Sequence, residues 1–418
     1  MPTGDRPKLR DNLGAEPHED GNFVIYDPLR IGRPVVLSPL AAEIAQRFDG
    51  DATVPEIVAA LKAEFANAQV SVEAVAGLVE ALDDASLLDS PKLRARFEGP
   101  VRTPVCFDLD ADPAPLRAQL TELFTAPGGA GMPEVGEEKD RRDKPGGSKG
   151  EGVSKGKRDK LRAVLAPHMD YTRGNVTYGH AFAELIRNTD ARVFVIVATS
   201  HYSGHRFTLT RQNFATPFGV VETDQDYVTR IVDHYGEGLF DDPLAHVPEH
   251  SIELEAVLLQ FLLAGRRPFK IVPLLTGSLN DHVRKKSDPA SGGDLSRMVA
   301  ALRAAEAACN EPVCYLISGD LAHIGPKFGD KRKAEGAWLV ESREKDAAIL
   351  KALESASASA FFNEIASEQD RRRICGLTPT WLTLELTKPR VGKVLNYQQF
   401  VHPQGKESVS FAAAAFYG

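Results

Sequence analysis

The chain has 418 residues, 43% apolar and 26% charged, a globular composition too long for one ordinary core, so two or three domains are expected. Its formal net charge of −8 provides no basic field and argues against nucleic acid as the main partner. No run approaches the roughly 20 apolar residues of a membrane helix, residues 1–20 lack an apolar signal-peptide core, and the cysteines at 106, 309, 314 and 375 form no CxxC pair, so a cytoplasmic protein without a disulfide framework or structural zinc is expected.

Residues 1–97 read as a small first domain. Phe23–Asp27 and Pro34–Leu37 are β-prone runs around a turn. Ser38-Pro39 then opens a helix as N-cap and first residue, with Leu40, Ile44 and Phe48 on one face and Gly50 as its stop. Thr53 and Glu56 form a capping box for a second helix carrying Ile57, Leu61 and Phe65. A third carries Val75, Leu78, Val79 and Leu82. A hairpin followed by three short helices is a winged-helix-like plan. Leu37-Ser-Pro to Asp49-Gly50, Thr53-Val-Pro-Glu-Ile-Val and the closing Leu87-Leu88 resemble the PqqD-like peptide-recognition modules. That resemblance implies a peptide ligand added main chain to main chain at a sheet edge; a docking domain without a peptide ligand fits the same residues.

Residues 98–418 form the expected second domain. Within it, 126–160 hold nine glycines, nine Lys/Arg and seven Asp/Glu, with no aromatic, Leu or Ile. Such a segment cannot bury enough surface to order itself and reads as a disordered linker or insertion. Beyond it, likely strands are Leu161–Leu165, Arg192–Ala198, Lys270–Leu275, Val313–Ser318, Val391–Asn396 and Val409–Phe416. Helical stretches at His180–Ile186, Asp224–His234, Ile252–Ala264, Leu295–Ala308 and Glu335–Leu353 separate most of them. Strands apolar on both faces and alternating with helices predict an α/β domain with a mainly parallel sheet flanked by helices; the last two strands follow closely enough to be antiparallel.

In such a sheet the ligand lies beyond the carboxyl ends of the strands. The first strand runs into Ala166-Pro-His168, the second into Thr199-Ser-His201 and the fourth into Ser318-Gly-Asp320 with His323 beyond, whereas the third ends in Thr276-Gly277. Nine of the eleven histidines lie between His168 and His323. About one βαβ unit separates His168 from His201, which predicts neighbouring strands and facing imidazoles. Two imidazoles with a third N, O or S donor make a first-row metal site. His250, in Glu249-His-Ser251, precedes an apolar helix and is read as lining the same site. His205 is in a loop-like stretch, His180 is read as a helix-face residue, and Cys375 as a small buried residue beside a turn.

These residues resemble the Memo family, in bacteria called AmmeMemoRadiSam system protein B. The resemblance rests on Val101-Arg-Thr-Pro-Val, Asp110-Ala-Asp-Pro-Ala-Pro-Leu, Ala166-Pro-His-Met-Asp-Tyr171, Thr199-Ser-His201, Thr216-Pro-Phe-Gly219, Glu249-His-Ser251, Ser318-Gly-Asp-Leu-Ala-His323, Ile374-Cys-Gly376 and Leu395-Asn-Tyr397. It implies a fold resembling class III extradiol dioxygenases and a non-haem site for Fe(II) or Cu, held by His168, His201 and a cysteine soon after the Leu-Asn-Tyr motif. Here that stretch reads Leu395-Asn-Tyr-Gln-Gln-Phe-Val-His402-Pro403, so His402 is the nearest substitute, and Asp170 is an extra carboxylate near His168. Of the expected catalytic residues His250, Asp320 and His323, His250 or His323 is the expected general acid/base group, and Asp320 is expected to orient an imidazole or accept a substrate proton. The expected function is a metal-dependent redox or dioxygenase-like enzyme acting with a radical-enzyme-associated system. The alternative is a non-catalytic binding or scaffold protein using its N-terminal module for peptides. No GxSxG elbow or HExxH helix is present, which disfavours simple hydrolysis.

Overall fold

A computed structural model of the protein describes residues 6–65, 70–135 and 160–418. The chain divides into two compact units, residues 1–103 and 104–418. Of the stretch expected to be a linker, 136–159 lie outside the described residues. Residues 126–135 run along a helix of the second unit, whose Arg187 donates to Ala130 O and Gly131 O while the His180 ring meets Gly128 O at 2.8 Å.

The first unit opens with a three-stranded antiparallel sheet, β1 (Gly14–Pro17), β2 (Phe23–Tyr26) and β3 (Val35–Leu37), in that spatial order. Four helices follow, α1 (Pro39–Ala45), α2 (Val54–Glu64), α3 (Val72–Asp84) and α4 (Pro91–Glu98), then β4 (Val101–Arg102). The caps read from sequence are in place: Ser38 accepts from Ala41 N, and Thr53 and Glu56 make both bonds of a capping box. The apolar faces converge on a core that includes Ile57, Leu61, Val75, Val79 and Leu82. A buried ion pair closes the β2–β3 turn: Arg10 Nη1 lies 2.7 Å from Asp27 Oδ2, and the Asp27 carboxylate also accepts from the amides of Leu29, Ile31 and Gly32.

The second unit contains α5 (Pro113–Thr125), β5 (Leu161–Ala166), α6 (Tyr171–Asn188), β6 (Val193–Thr199), β7 (Phe207–Leu209), β8 (Asn213–Thr216), β9 (Gly219–Val221), α7 (Gln225–Tyr235), α8 (Ser251–Leu263) and β10 (Lys270–Thr276). It continues with α9 (Asn280–Lys285), α10 (Gly293–Ala307), β11 (Val313–Ser318), β12 (His323–Ile324), α11 (Ala337–Glu354), α12 (Ala358–Ser367), α13 (Leu377–Thr387), β13 (Val391–Val401) and β14 (Ser408–Tyr417). The main sheet has eight strands, ordered β12-β14-β5-β11-β6-β10-β7, with β13 on β14. Separate apolar clusters form around alternate residues of its strands, Val193, Val195 and Val197 in one and Phe194, Ile196 and Ala198 in the other. Both sides of the sheet are therefore buried, and the strands read as continuous apolar runs for that reason.

The expectation of a mainly parallel sheet of the extradiol-dioxygenase type is corrected. β5, β11, β6 and β10 are parallel, but the ladders β14–β5, β13–β14, β12–β14 and β10–β7 are antiparallel. The sheet is thus mixed and open, not a barrel, and helices hold more of the chain than strands. The physical reason lies in the connections. A short turn joins β13 to β14 and can only reverse the chain, while β7 and β12 are too short to carry a periodic signal. A second correction concerns β5 and β6, which are not neighbours, because β11 lies between them.

Candidate functional site

Three strand ends deliver the site. β5 runs into Pro167 and His168, β6 into Ser200 and His201, and β11 into Gly319 and Asp320. Asp320 leaves from β11, the strand between those of the two histidines: its Oδ1 accepts from His168 N at 3.2 Å, and its Oδ2 lies 3.8 Å from His168 Nε2. The His168 and His201 ring centroids are 5.0 Å apart, edge to face. His250, immediately before α8, stacks on His201 at 5.1 Å and 15° and lies 5.6 Å from His168. The structure therefore brings His168, His201, His250 and Asp320 together at one edge.

Each ring has a fixed back side. His201 Nδ1 is 3.0 and 3.1 Å from the two oxygens of Glu249, which also accepts from the backbone amides of His201, His250 and Ser251. The Glu249 carboxyl is buried, and burial alone would raise its pKa. The charge and hydrogen bond of His201 win and hold it well below the usual carboxylate range. Burial likewise disfavours the His201 cation, but Glu249 outweighs it and the His201 pKa rises. His168 has no such partner: its Nδ1 faces Ser318 Oγ at 3.4 Å, and burial, helped by the charges of His201 and His250, drives its pKa well down. His323, at the start of β12, donates from Nδ1 to Leu321 O and Arg373 O, both at 3.0 Å, and burial pushes it down to about 4. Asp320 is pushed up to about 7 by burial, against the pull of the His168 amide.

Cys375 completes the arrangement, and sequence reasoning had set it aside. Its Sγ lies 3.2 Å from His168 Nε2 and accepts from Asp320 N at 3.2 Å. Burial, reinforced by Asp320, holds its thiol well above the ordinary value. Two features bring it there. Gln369, Asp370 and Arg373 have positive φ (58°, 48° and 54°), which winds the chain tightly before Cys375. Gly376 then crosses Gly319 so closely that a Cβ on Gly319 would stand 2.5 Å from Gly376 Cα. The signal available in the sequence was this glycine pair, one beside Asp320 and one beside Cys375, because close backbone approach requires glycine.

Among the described residues, three overlapping sets place their ligand atoms within 4.8 Å of one another: His168, His201 and Cys375; His201, Glu249 and His250; and Asp320, His323 and Cys375. The first set offers two nitrogens and a sulfur, a donor chemistry that suits a first-row transition metal. His402 belongs to none of them. It sits in the β13–β14 turn, where its Nδ1 accepts from Gln404 N at 3.1 Å. Asp170 caps α6, accepting from Arg173 N and pairing with the Arg173 side chain. A cleft of about 290 Å³ opens beside the first set, lined by His201 and Cys375 together with Thr199, Thr276, Ser278 and Asp370.

Comparison with known proteins gives two family matches: a model described as Memo-like protein over residues 147–416, and one described as Coenzyme PQQ synthesis protein D (PqqD) over residues 22–88. A MEMO1 family protein of Aquifex aeolicus is 24% identical over 99% of this chain and 100% of its own length. One from Methanobrevibacter smithii is 25% identical over 54% of this chain and 70% of its own. One from Schizosaccharomyces pombe is 25% identical over 60% of this chain and 87% of its own.

Proposed function

Since the chain belongs to the Memo-like family and carries a PqqD-like module ahead of the Memo-like unit, we propose that it is a metal-dependent redox protein whose centre is held by His168, His201 and Cys375. The observation that carries this reading is the pairing of donors with anchored backs. His201 Nδ1 is engaged by Glu249 and His168 Nδ1 faces Ser318, so the other ring nitrogens are left to act as ligands beside the Cys375 sulfur. Iron(II) or copper suits an imidazole–thiolate set, and such a cation would supply one-electron chemistry and Lewis acidity.

Around it the chain's own groups have separable tasks. Glu249 orients His201 and balances its charge. Asp320, titrating near neutrality, is suited to take a proton at Oδ2 from a bound molecule. His323, kept neutral by burial and donating from Nδ1 to two carbonyls, is suited to accept one at Nε2. His250 walls the site by stacking on His201. The reading includes a reducing, cytoplasmic setting: none of the four cysteines forms a disulfide, and Cys375 has to stay reduced. No helix among the described residues is long and apolar enough to cross a membrane.

Metal analysis of protein purified without chelator tests this. Near-stoichiometric iron or copper, lost in a His168→Ala/His201→Ala double variant, is expected; metal content unchanged in that variant overturns the reading.

The PqqD match favours a second reading, in which the first unit binds a peptide and the protein acts as a scaffold or presents that peptide to the site. β3 is an edge of the β1-β2-β3 sheet, and Val36 on it is 54% exposed. Saturable peptide binding by the full chain, lost when a proline replaces Val36, would support it.

A further inference from the structure

We propose that Thr199 is a positioning residue for the site: its hydroxyl ties the Cys375 turn to β6 and, with the hydroxyls of Ser251 and Ser318, forms a clasp that sets the distance between His201 and Cys375. The consequence for a bound cation rests on the reading of these two residues as ligands; the clasp itself rests on geometry.

Thr199 is the last residue of β6, Ser318 the last of β11 and Ser251 the first of α8. All three are buried. Each stands within two residues of a site group: Thr199 of His201, Ser251 of His250 and Ser318 of Asp320. A serine at a helix start ordinarily caps the helix. Here the cap position belongs to His250, which makes no side-chain cap bond, and Ser251 Oγ donates across to Thr199 O at 2.8 Å. Ser318 Oγ donates to Ser251 O at 2.7 Å. Thr199 Oγ1 donates to Cys375 O at 2.8 Å, with Ser318 O at 3.5 Å as its weaker second acceptor. The ring closes in this way: β11 to α8, α8 to β6, and β6 back to β11 and on to Cys375.

Backbone carbonyls only accept, and a hydroxyl has one hydrogen. Every hydrogen in the ring is therefore spent, and no bond in it can reverse. The Cys375 turn is held from two sides. From the β11 end, Gly376 N donates to Asp320 O at 2.9 Å and Asp320 N to Cys375 Sγ at 3.2 Å. From β6, the Thr199 hydroxyl holds the carbonyl of Cys375 itself. Between these holds the sulfur stands 3.2 Å from His168 Nε2 and within 4.8 Å of a His201 ring nitrogen. Threonine suits the task because branching at Cβ stiffens χ1 and aims the hydroxyl in advance. Serine would keep the hydrogen bond without the stiffness, and valine the shape without the hydrogen bond.

The test uses the full chain and Co(II), whose bond to a thiolate gives a charge-transfer band. Thr199→Val should weaken Co(II) binding by about 10–100-fold, the usual cost of losing an outer-shell partner, and diminish the sulfur-to-cobalt band. Thr199→Ser should restore most of both. In the metal-free protein, the ¹⁵N shift of His168 Nε2, which senses the Cys375 sulfur, should move in the Val variant and return in the Ser variant. A Val variant with wild-type affinity, band and ¹⁵N shift overturns the inference. So does a Ser variant as impaired as the Val variant, because shape and not the hydroxyl would then be at work. If Thr199→Val does not fold, Ser251→Ala decides in its place: it frees the Thr199 carbonyl, and an unmoved ¹⁵N shift there overturns the clasp. A wild type that binds no cation, while the ¹⁵N shift still follows the Thr199 hydroxyl, upholds the role of Thr199 and overturns the metal reading.

Discussion

The sulfur of Cys375 lies 3.2 Å from Nε2 of His168, two atoms delivered from distant parts of the chain by a crossing of Gly376 over Gly319. On the proposed reading, the third donor is therefore Cys375 in the Ile374-Cys-Gly376 turn and not His402 in the β13–β14 turn. Cys375→Ala should therefore cost more metal affinity than the roughly 10–100-fold of an outer-shell change, while His402→Ala should leave affinity as it was. Competition titration with a chelator of known affinity measures both.

Glu249 accepts three backbone amides as well as the His201 ring. Glu249→Ala leaves those buried donors unsatisfied, at about 1–3 kcal/mol for each that water cannot reach. Glu249→Gln keeps an acceptor oxygen but loses the charge. The Ala variant should show the larger loss in urea stability, and the Gln variant a roughly 10–100-fold loss in metal affinity with most of the stability kept.

The loop carrying Cys375 is tied down three residues earlier. Arg372 is buried and pairs with Asp346 of α11 and with Glu368, and its carbonyl accepts from His323 N at 2.6 Å. Tyr397 donates to the other oxygen of Asp346 at 2.8 Å. Arg372→Ala strands Asp346, a change that typically costs about 3–5 kcal/mol. Arg372→Lys should rescue only part, because an ammonium cannot reproduce the fork. Denaturation measures the loss, and faster hydrogen exchange over residues 369–376 should accompany it.

The first unit should weaken in acid through Asp27. Burial alone would raise its pKa, but the Arg10 hydrogen bond, the amides of Gly32 and Leu29 and the Arg10 charge hold it below the ordinary value. The unfolded chain therefore binds the proton more readily than the folded one. The stability contributed by this group is complete above the unfolded value of about 4 and is lost as pH falls through the lower folded value. Asp27→Asn should remove that acid dependence and lower stability at neutral pH. Hydrogen exchange across α2 and α3 as a function of pH reads both effects.

Much of the architecture was legible because it follows from local chemistry. β11 was read with its boundaries, Val313 to Ser318, and the capping box at Thr53 and Glu56 announced α2. The strand-end positions of His168, His201 and Asp320 could be read because apolar runs stop where polar groups begin. Other features were not local. α13 is buried on nearly every side, so it has no polar stripe to mark it as a helix. The order of β5, β11 and β6 depends on which strands meet in space, and spacing along the chain cannot decide it. Cys375 looked like an ordinary small buried residue because what gives it meaning, the Gly319–Gly376 crossing, joins segments more distant in sequence than any motif. The Glu249 carboxylate was read as part of a motif, but its three contacts to His201 appear only when β6 and α8 are side by side.

The position of β14 has a consequence for synthesis. β14 pairs with β5 on one side and β13 on the other, so the edge of β5 waits for a strand made far later. Until then a nascent chain on the ribosome carries His168 next to an open strand edge, the kind of edge that recruits foreign strands. Residues 391–417 act as the closing seam, and chains arrested before it should depend on chaperones and be prone to aggregation.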